Sequence, residues 1–236
     1  MRVIANESHI ETRTKLGEWA PLAGLIVLAI STAIIFIEPA RIWISMILVW
    51  IGFLISIIGS YLGNRYVGPM AYHKKVPEAL KGMTDDYTLL IYELPVPFVL
   101  VEPGGLTTIT VKAHGGEVKY EKNSWQHQEK LGFLRKLAGQ ETLGRAHRFA
   151  LSEAERLQKY LDKRLPEDME APVRPVLLFI HPDIYLEAED SPVPALRAAE
   201  FKRWLRKDGR RTRLPDETRE KLHAVLPIEQ EEEGKK

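Results

Sequence analysis

Lys112 lies near the end of the stretch EPGGLTTITVKAHGG (102–116), a run of β-branched residues between two Gly-Gly turns. A lysine at the end of such a strand can offset charge on a phosphate, or it can simply guard a sheet edge against unwanted pairing. Few acids stand where they could work with it: Glu93 at the end of the preceding apolar run, Glu102 and Glu117 at the two turns, and Glu78 upstream. His114, beside Gly115 and Gly116, is placed either to meet an anion or, as an ordinary turn histidine, to face solvent. The densest charge lies in KRWLRKDGRRTR (202–213), where Lys202, Arg203, Arg206, Lys207, Arg210, Arg211 and Arg213 accompany a single acid, Asp208. Such a run suits a nucleic-acid backbone or anionic lipid, and it also occurs on plain solvated helices. No Gly-rich phosphate loop, Cys/His metal spacing or Gly-x-Ser-x-Gly elbow is present. The chain has no cysteine, which excludes disulfides, thiolate metal sites and a cysteine nucleophile. A net charge of +1 gives no global attraction to polyanions.

The elements that must position these residues divide sharply in composition. Pro21 to Ile37 reads PLAGLIVLAISTAIIFI without a charge, EPAR (38–41) follows, and Ile42 to Leu62 is again uncharged. At about 1.5 Å per residue, each run covers roughly 25–30 Å of hydrocarbon. Trp19, Trp43, Tyr61 and Tyr66 flank the runs, where amphipathic rings favour the headgroup region. Pro39 in so short a link makes a tight antiparallel hairpin, so both ends emerge on one side. Arg2, Arg13, Lys15, Arg65, Lys74, Lys75 and Lys81 lie outside the hairpin and only Arg41 lies in its turn. This bias places both termini in the cytoplasm, with the chain in the cell (inner) membrane.

Beyond a basic linker, VPEALKGM (76–83) reads as a short helix with Pro77 in its first turn. YTLLIYEL (87–94), VPFVLVEP (96–103), LTTITVKA (106–113) and EVKYEKNSWQ (117–126) read as four strands joined by short turns in an antiparallel meander. Helices are expected over 128–140 and 146–165, and RPVLLFIHP (174–182) reads as a strand covered on both faces, in parallel or mixed pairing. A short strand then enters the basic helix, and LPDETREKLHAVL forms a last helix that Asp216 can cap. His181-Pro182-Asp183, the tripeptide of J-domain cochaperones, follows an apolar strand rather than joining two helices, and carries no such reading.

With that order in place, FVLVEPGGLTTITVKAHGGEV and the later Trp125 (98–125) resemble the nuclease-related domain (NERD) family of the restriction-endonuclease-like fold. The likeness spans roughly residues 76 to 182. It implies an α/β chain in which an N-terminal two-helix transmembrane hairpin precedes a restriction-endonuclease-like domain, a mixed sheet flanked by helices. Active members of the fold use an Asp and a Glu-x-Lys on adjacent strands, the carboxylates holding Mg²⁺ and the lysine assisting the attacking water. Residue by residue, Lys112 matches the lysine and Glu78 the acid of the first helix, whereas Thr110 and Pro97 stand at the two strand acids. Gln140 falls near a glutamine that the family often places on the following helix, and Trp125 is read as packing rather than base stacking.

A hydroxyl and a proline make a poor Mg²⁺ site, so no bound metal and no efficient nuclease activity are expected. The resulting expectation is a cytoplasmic segment (1–19), a transmembrane hairpin (20–62, spans 21–37 and 42–62), a linker (63–75), a NERD-like domain (76–226) and a charged tail (227–236). Its partners are the lipid bilayer and either nucleic acid or a protein. Mg²⁺ enters only if the carboxylates have migrated, for example to Glu78 with Glu93, in an active nuclease. A purely structural protein-interaction domain is the third reading.

Overall fold

The computed structural model describes residues 1–128, 143–166, 169–208 and 213–228. Most of the helix expected over 128–140, Gln140, Arg210, Arg211 and residues 229–236 of the tail lie outside them. The chain divides into two units, a helical one from Glu7 to Tyr72 and an α/β one built from Met1–Asn6 and the described residues from His73 onward.

The α/β unit is built on a six-stranded mixed sheet whose strands lie in the order Arg2–Ala5 (β1), Thr88–Ile91 (β2), Phe98–Glu102 (β3), Gly105–Lys112 (β4), Val173–Phe179 (β7) and Ala195–Arg197 (β9). Strands β2 (Thr88–Ile91), β3 (Phe98–Glu102) and β4 (Gly105–Lys112) form the expected antiparallel meander. β7 (Val173–Phe179) runs parallel to β4, and β9 (Ala195–Arg197) parallel to β7. All eight residues of β4 are buried, which explains why its sequence is rich in β-branched residues instead of alternating. Gly105 opens that strand at φ 140, and a Cβ there would meet the Pro172 carbonyl oxygen at 2.5 Å. Only glycine fits both the backbone and the space.

Helix α4 (Ala146–Asp162) packs across β4 and β7. Its inner stripe is Ala146, Ala150, Glu153, Ala154, Leu157 and Leu161, an apolar face at helical spacing with one acid inside it. Leu157 and Leu161 share a core with Leu90, Val99, Val101 and Leu106 of the sheet and with Leu222 and Leu226 near the C-terminal helix α6 (Asp216–Val225). Ala146 and Ala150 share a second core with Leu177, Phe179, Val118 and Trp125. Helix α3 (Tyr72–Leu80) precedes the meander, and α5 (Ala198–Asp208) follows β9 directly.

Four features differ from the sequence expectation. Arg2–Ala5, inside the segment read as a cytoplasmic leader, is strand β1, paired parallel to β2 from Arg2↔Thr88 to Ala5↔Ile91. Ile4 is only 2% exposed in the main core, and burying such a side chain is worth about 1.5–3 kcal/mol. The single strand expected over 117–126 is a hairpin, β5 (Gly116–Glu121) and β6 (Ser124–Gln128), with Lys122 and Asn123 at φ 50 and 60. It leaves the meander and forms a second sheet, β6-β5-β8, with β8 (Ile184–Glu187). Helix α3 starts earlier than expected, which puts Pro77 in its interior, and Asp216 is the first helical residue of α6 rather than its cap, the cap position being Pro215.

The helical unit comprises α1 (Glu7–Ile37), a 3₁₀ turn at Pro39–Arg41 and α2 (Ile42–Tyr66). Both helices are long and apolar enough to cross a membrane. α1 has 31 residues, about 46 Å at helical rise, and its charged first turns lie outside the apolar run. The residues hidden between the helices are mostly small and recur every seventh position: Gly17, Gly24 and Ser31 on α1, Ser45, Gly52 and Gly59 on α2. A step of seven keeps one helical face toward the partner, and small residues let the backbones approach. A Cβ at Gly24 would lie 2.8 Å from the Gly52 carbonyl oxygen, and one at Gly59 would lie 2.5 Å from Pro21 Cδ. Near the turn, Ser31 Oγ donates to the Ser45 carbonyl (2.9 Å) and Ser45 Oγ donates to the Ser31 carbonyl (2.7 Å).

Because the chain lacks cysteine, this seam can be probed directly. A Ser31→Cys/Ser45→Cys variant should form an intramolecular disulfide readily under mild oxidation, as seen by gel shift. Adding Gly24→Leu should slow it at least about tenfold, since a leucine cannot enter so close a contact. Undiminished cross-linking would show that the glycine seam does not set the helix spacing.

Candidate functional site

The face of β4 that carries Thr108, Thr110 and Lys112 meets α4, because side chains two apart share a face of a strand. Thr110 Oγ1 donates a hydrogen bond to Glu153 Oε2, and both residues are buried, at 4% and 3% exposure. One helical turn earlier, Phe149 lies under Lys112, whose Nζ is 5.8 Å from the ring centroid. The pairs Thr110/Glu153 and Lys112/Phe149 therefore advance in opposite directions along strand and helix. Lys112 is 6% exposed, and its carbonyl accepts the Ile180 amide at 3.0 Å. It is an interior residue rather than an exposed edge guard.

Pro97 precedes β3, and its carbonyl accepts the Tyr92 amide at 2.8 Å. The pairing of β3 with β4 ends at Val99↔Thr108, so Pro97, Thr110 and Lys112 all lie beyond its last paired residues. Glu78 is exposed on α3, where its carboxylate lies 2.7 Å from Lys75 Nζ. Glu102 is committed on the other side of the sheet: Arg174 binds both its oxygens (2.6 and 2.9 Å), and Thr107 donates to it. Arg174 also stacks on Trp204, with 4.5 Å from guanidinium carbon to ring centroid. Glu117 is exposed and shares Lys119 with Glu187, at 2.9 and 3.0 Å. The two carboxylates hold that ammonium protonated well above the ordinary lysine range. Glu93 is half-buried in the bend between β2 and β3. Among the described residues, no group of three or more His, Asp or Glu is arranged to hold a metal ion.

His114 is 4% exposed, not the solvated turn histidine of the sequence reading. Its ring meets His127 edge-on, with centroids 5.2 Å apart, and His127 Nε2 hydrogen-bonds the Gly115 carbonyl at 2.7 Å. The imidazole of His181 lies flush on Gly115, where a Cβ would come within 2.6 Å of Nδ1. That nitrogen accepts the Asp183 amide at 3.1 Å. On α4, His147 packs edge-on to Tyr120, and burial followed by Arg148 and Arg145 lowers its pKa, which favours the neutral ring. Trp125 is buried against Tyr120 and Phe179, as its packing reading required.

The basic helix α5 is only partly available to a ligand. Lys202 Nζ donates to the Lys81 carbonyl (2.9 Å), and Arg206 donates to that of Gly82 (3.4 Å). Both close off carbonyls at the C-terminal end of α3, a favourable place for cations. Arg203, Lys207 and Arg213 are exposed. Glu153 and Arg174 are the side chains bonded to β4 and its neighbour that the sequence reading missed. Glu153 lies in phase with Ala150, Leu157 and Leu161, and a charged residue inside an apolar stripe is the signal that would have found it.

Glu153→Ala should destabilise the α/β unit by about 1–3 kcal/mol, because it strands the Thr110 hydroxyl in the interior. Glu153→Gln, which keeps an acceptor oxygen, should cost less than half of that. The comparison is made by chemical unfolding of the full chain in micelles, and equal losses for both variants would mean that the hydrogen bond is not the stabilising element.

Comparison with family models, with curated proteins and with solved structures finds no match for this chain.

Proposed function

We propose that this chain is a membrane-anchored, catalytically degenerate nuclease-related domain that works as a binding or scaffolding module. The observation that carries the reading is the hydrogen bond from Thr110 to Glu153. At the strand position where the resemblance implies a metal-binding carboxylate, a hydroxyl is turned toward a buried acid of α4. Around it, α3, the antiparallel β2-β3-β4, α4 and the parallel β7 make a mixed sheet flanked by helices, the coarse architecture that the resemblance implies. The two apolar helices supply the anchor. The Lys and Arg bias around them supports a cytoplasmic position for both termini and for the α/β unit, at the inner membrane.

One carboxylate cannot replace two in holding Mg²⁺ against water. Lys112, with its Nζ over the Phe149 ring, joins β4 to α4. The candidate ligands are therefore recognised elsewhere, through the cations that remain exposed, and are polyanionic: nucleic acid or anionic lipid.

The test is cleavage of single- and double-stranded DNA and of RNA by the full chain in micelles with Mn²⁺ or Mg²⁺. No cleavage above that of Lys112→Ala is expected. Metal-dependent cleavage abolished by both Lys112→Ala and Glu153→Gln would overturn the proposal in favour of an active nuclease with a migrated carboxylate.

A further inference from the structure

We propose that the surface formed by α3 and the outward side of α5 is a docking site for anionic phospholipid headgroups. This rests on the binding-module reading and names its ligand. Lys202 and Arg206, four residues apart, tie α5 to the carbonyls of Lys81 and Gly82 and so fix the two helices as one surface. The neighbouring stripe of α5 leaves Arg203 and Lys207 exposed, again one turn apart. α3 and the turn after it contribute the exposed Lys74 and Lys81. Acids on this surface are largely committed: Glu78 to Lys75, Glu200 to Arg197, and Asp85 to the Met1 amine. The surface is therefore net positive.

An open groove of about 470 Å³ lies beside it. Met1, Pro77 and Met83 give it apolar lining, and Lys74, Lys81 and Glu78 give it charge. Cations over an apolar groove match a phosphodiester headgroup joined to its glycerol and acyl roots. They match single-stranded nucleic acid less well, which needs exposed aromatic faces for its bases. The aromatics of α5 do not offer them: Phe201 is buried, and Trp204 is covered by Arg174. The linker decides the source of the headgroup. α2 ends at Tyr66 and α3 begins at Tyr72, a span of about 20 Å at most even when fully extended. The concentration of bilayer phosphate within reach of α3 is accordingly high and permanent.

The experiment places the full chain in nanodiscs of phosphatidylcholine, with or without one-third phosphatidylglycerol, and maps lysine acylation by mass spectrometry. Labelling of Lys74, Lys81 and Lys207 should fall severalfold in the anionic discs and return at high salt, because exposed ion pairs are screened. Labelling of the exposed Lys159 on α4 and Lys163 just after it should not change. Arg203→Glu/Lys207→Glu, altered only at exposed positions, should lose the protection of Lys74 and Lys81 while leaving the fold intact. Equal labelling in both discs overturns the lipid assignment. So does protection that appears only when an oligonucleotide is added to neutral discs. Either result leaves the binding-module reading standing, since that falls only to metal-dependent cleavage.

Discussion

A strand buried at all eight of its positions cannot leave a polar side chain without a partner, and β4 carries Thr107, Thr108, Thr110 and Lys112. An unsatisfied buried hydroxyl costs about 1–3 kcal/mol, and a buried charge more. Each group on β4 therefore calls for a specific residue elsewhere. Thr107 is met by Glu102 and Arg174, Thr108 by the Arg174 carbonyl, Thr110 by Glu153 and Lys112 by the ring of Phe149. These demands fix how β7 and α4 lie against the strand. They also explain the acid inside the apolar stripe of α4 and the threonines of LTTITVK. What looks like an active-site edge is, in energetic terms, the polar lining of an interior strand.

The same economy holds where the chain enters and leaves the helical unit. β1 ends at Ala5 and α1 begins at Glu7, so the outer strand of the six-stranded sheet is joined to the first apolar helix by one residue. On the other side, the chain passes from α2 to α3 in a few residues. The helical pair must then be closed by its own contacts. In hydrocarbon, apolar surface gives little preference for a partner helix, so close backbone packing and hydrogen bonds must supply it. The small residues at seven-residue steps and the reciprocal Ser31 and Ser45 bonds serve that purpose.

Much of this was legible in the sequence because it is written in local patterns. The apolar runs of the hairpin, the β-branched strands β2 to β4, the buried β7 and the helical stripe of α4 all declare themselves within a few residues. β1 does not: four residues carry too little periodicity, and their partner begins far along the chain at Thr88. The hairpin at Lys122 and Asn123 was hidden because lysine rarely takes positive φ, so only Asn123 hinted at a turn. The candidate site was half legible. Lys112, Thr110 and Pro97 could be placed from the strand motif, yet the acceptor for Thr110 comes from a helix 43 residues on, a relation that only the tertiary fold creates. The commitment of Lys202 and Arg206 to the Lys81 and Gly82 carbonyls just after α3 was hidden for the same reason, and a count of basic residues overstates what α5 offers a ligand.

The central claim is that the nuclease-like edge has become a structural element without a metal site. It is tested most directly by titrating Mn²⁺ into the full chain in micelles and following the free ion by electron paramagnetic resonance. The free-ion signal should rise in proportion to added Mn²⁺ and be the same for the native chain and Glu153→Gln. A stoichiometric loss of free Mn²⁺ at micromolar concentration, abolished by Glu153→Gln, would contradict the account.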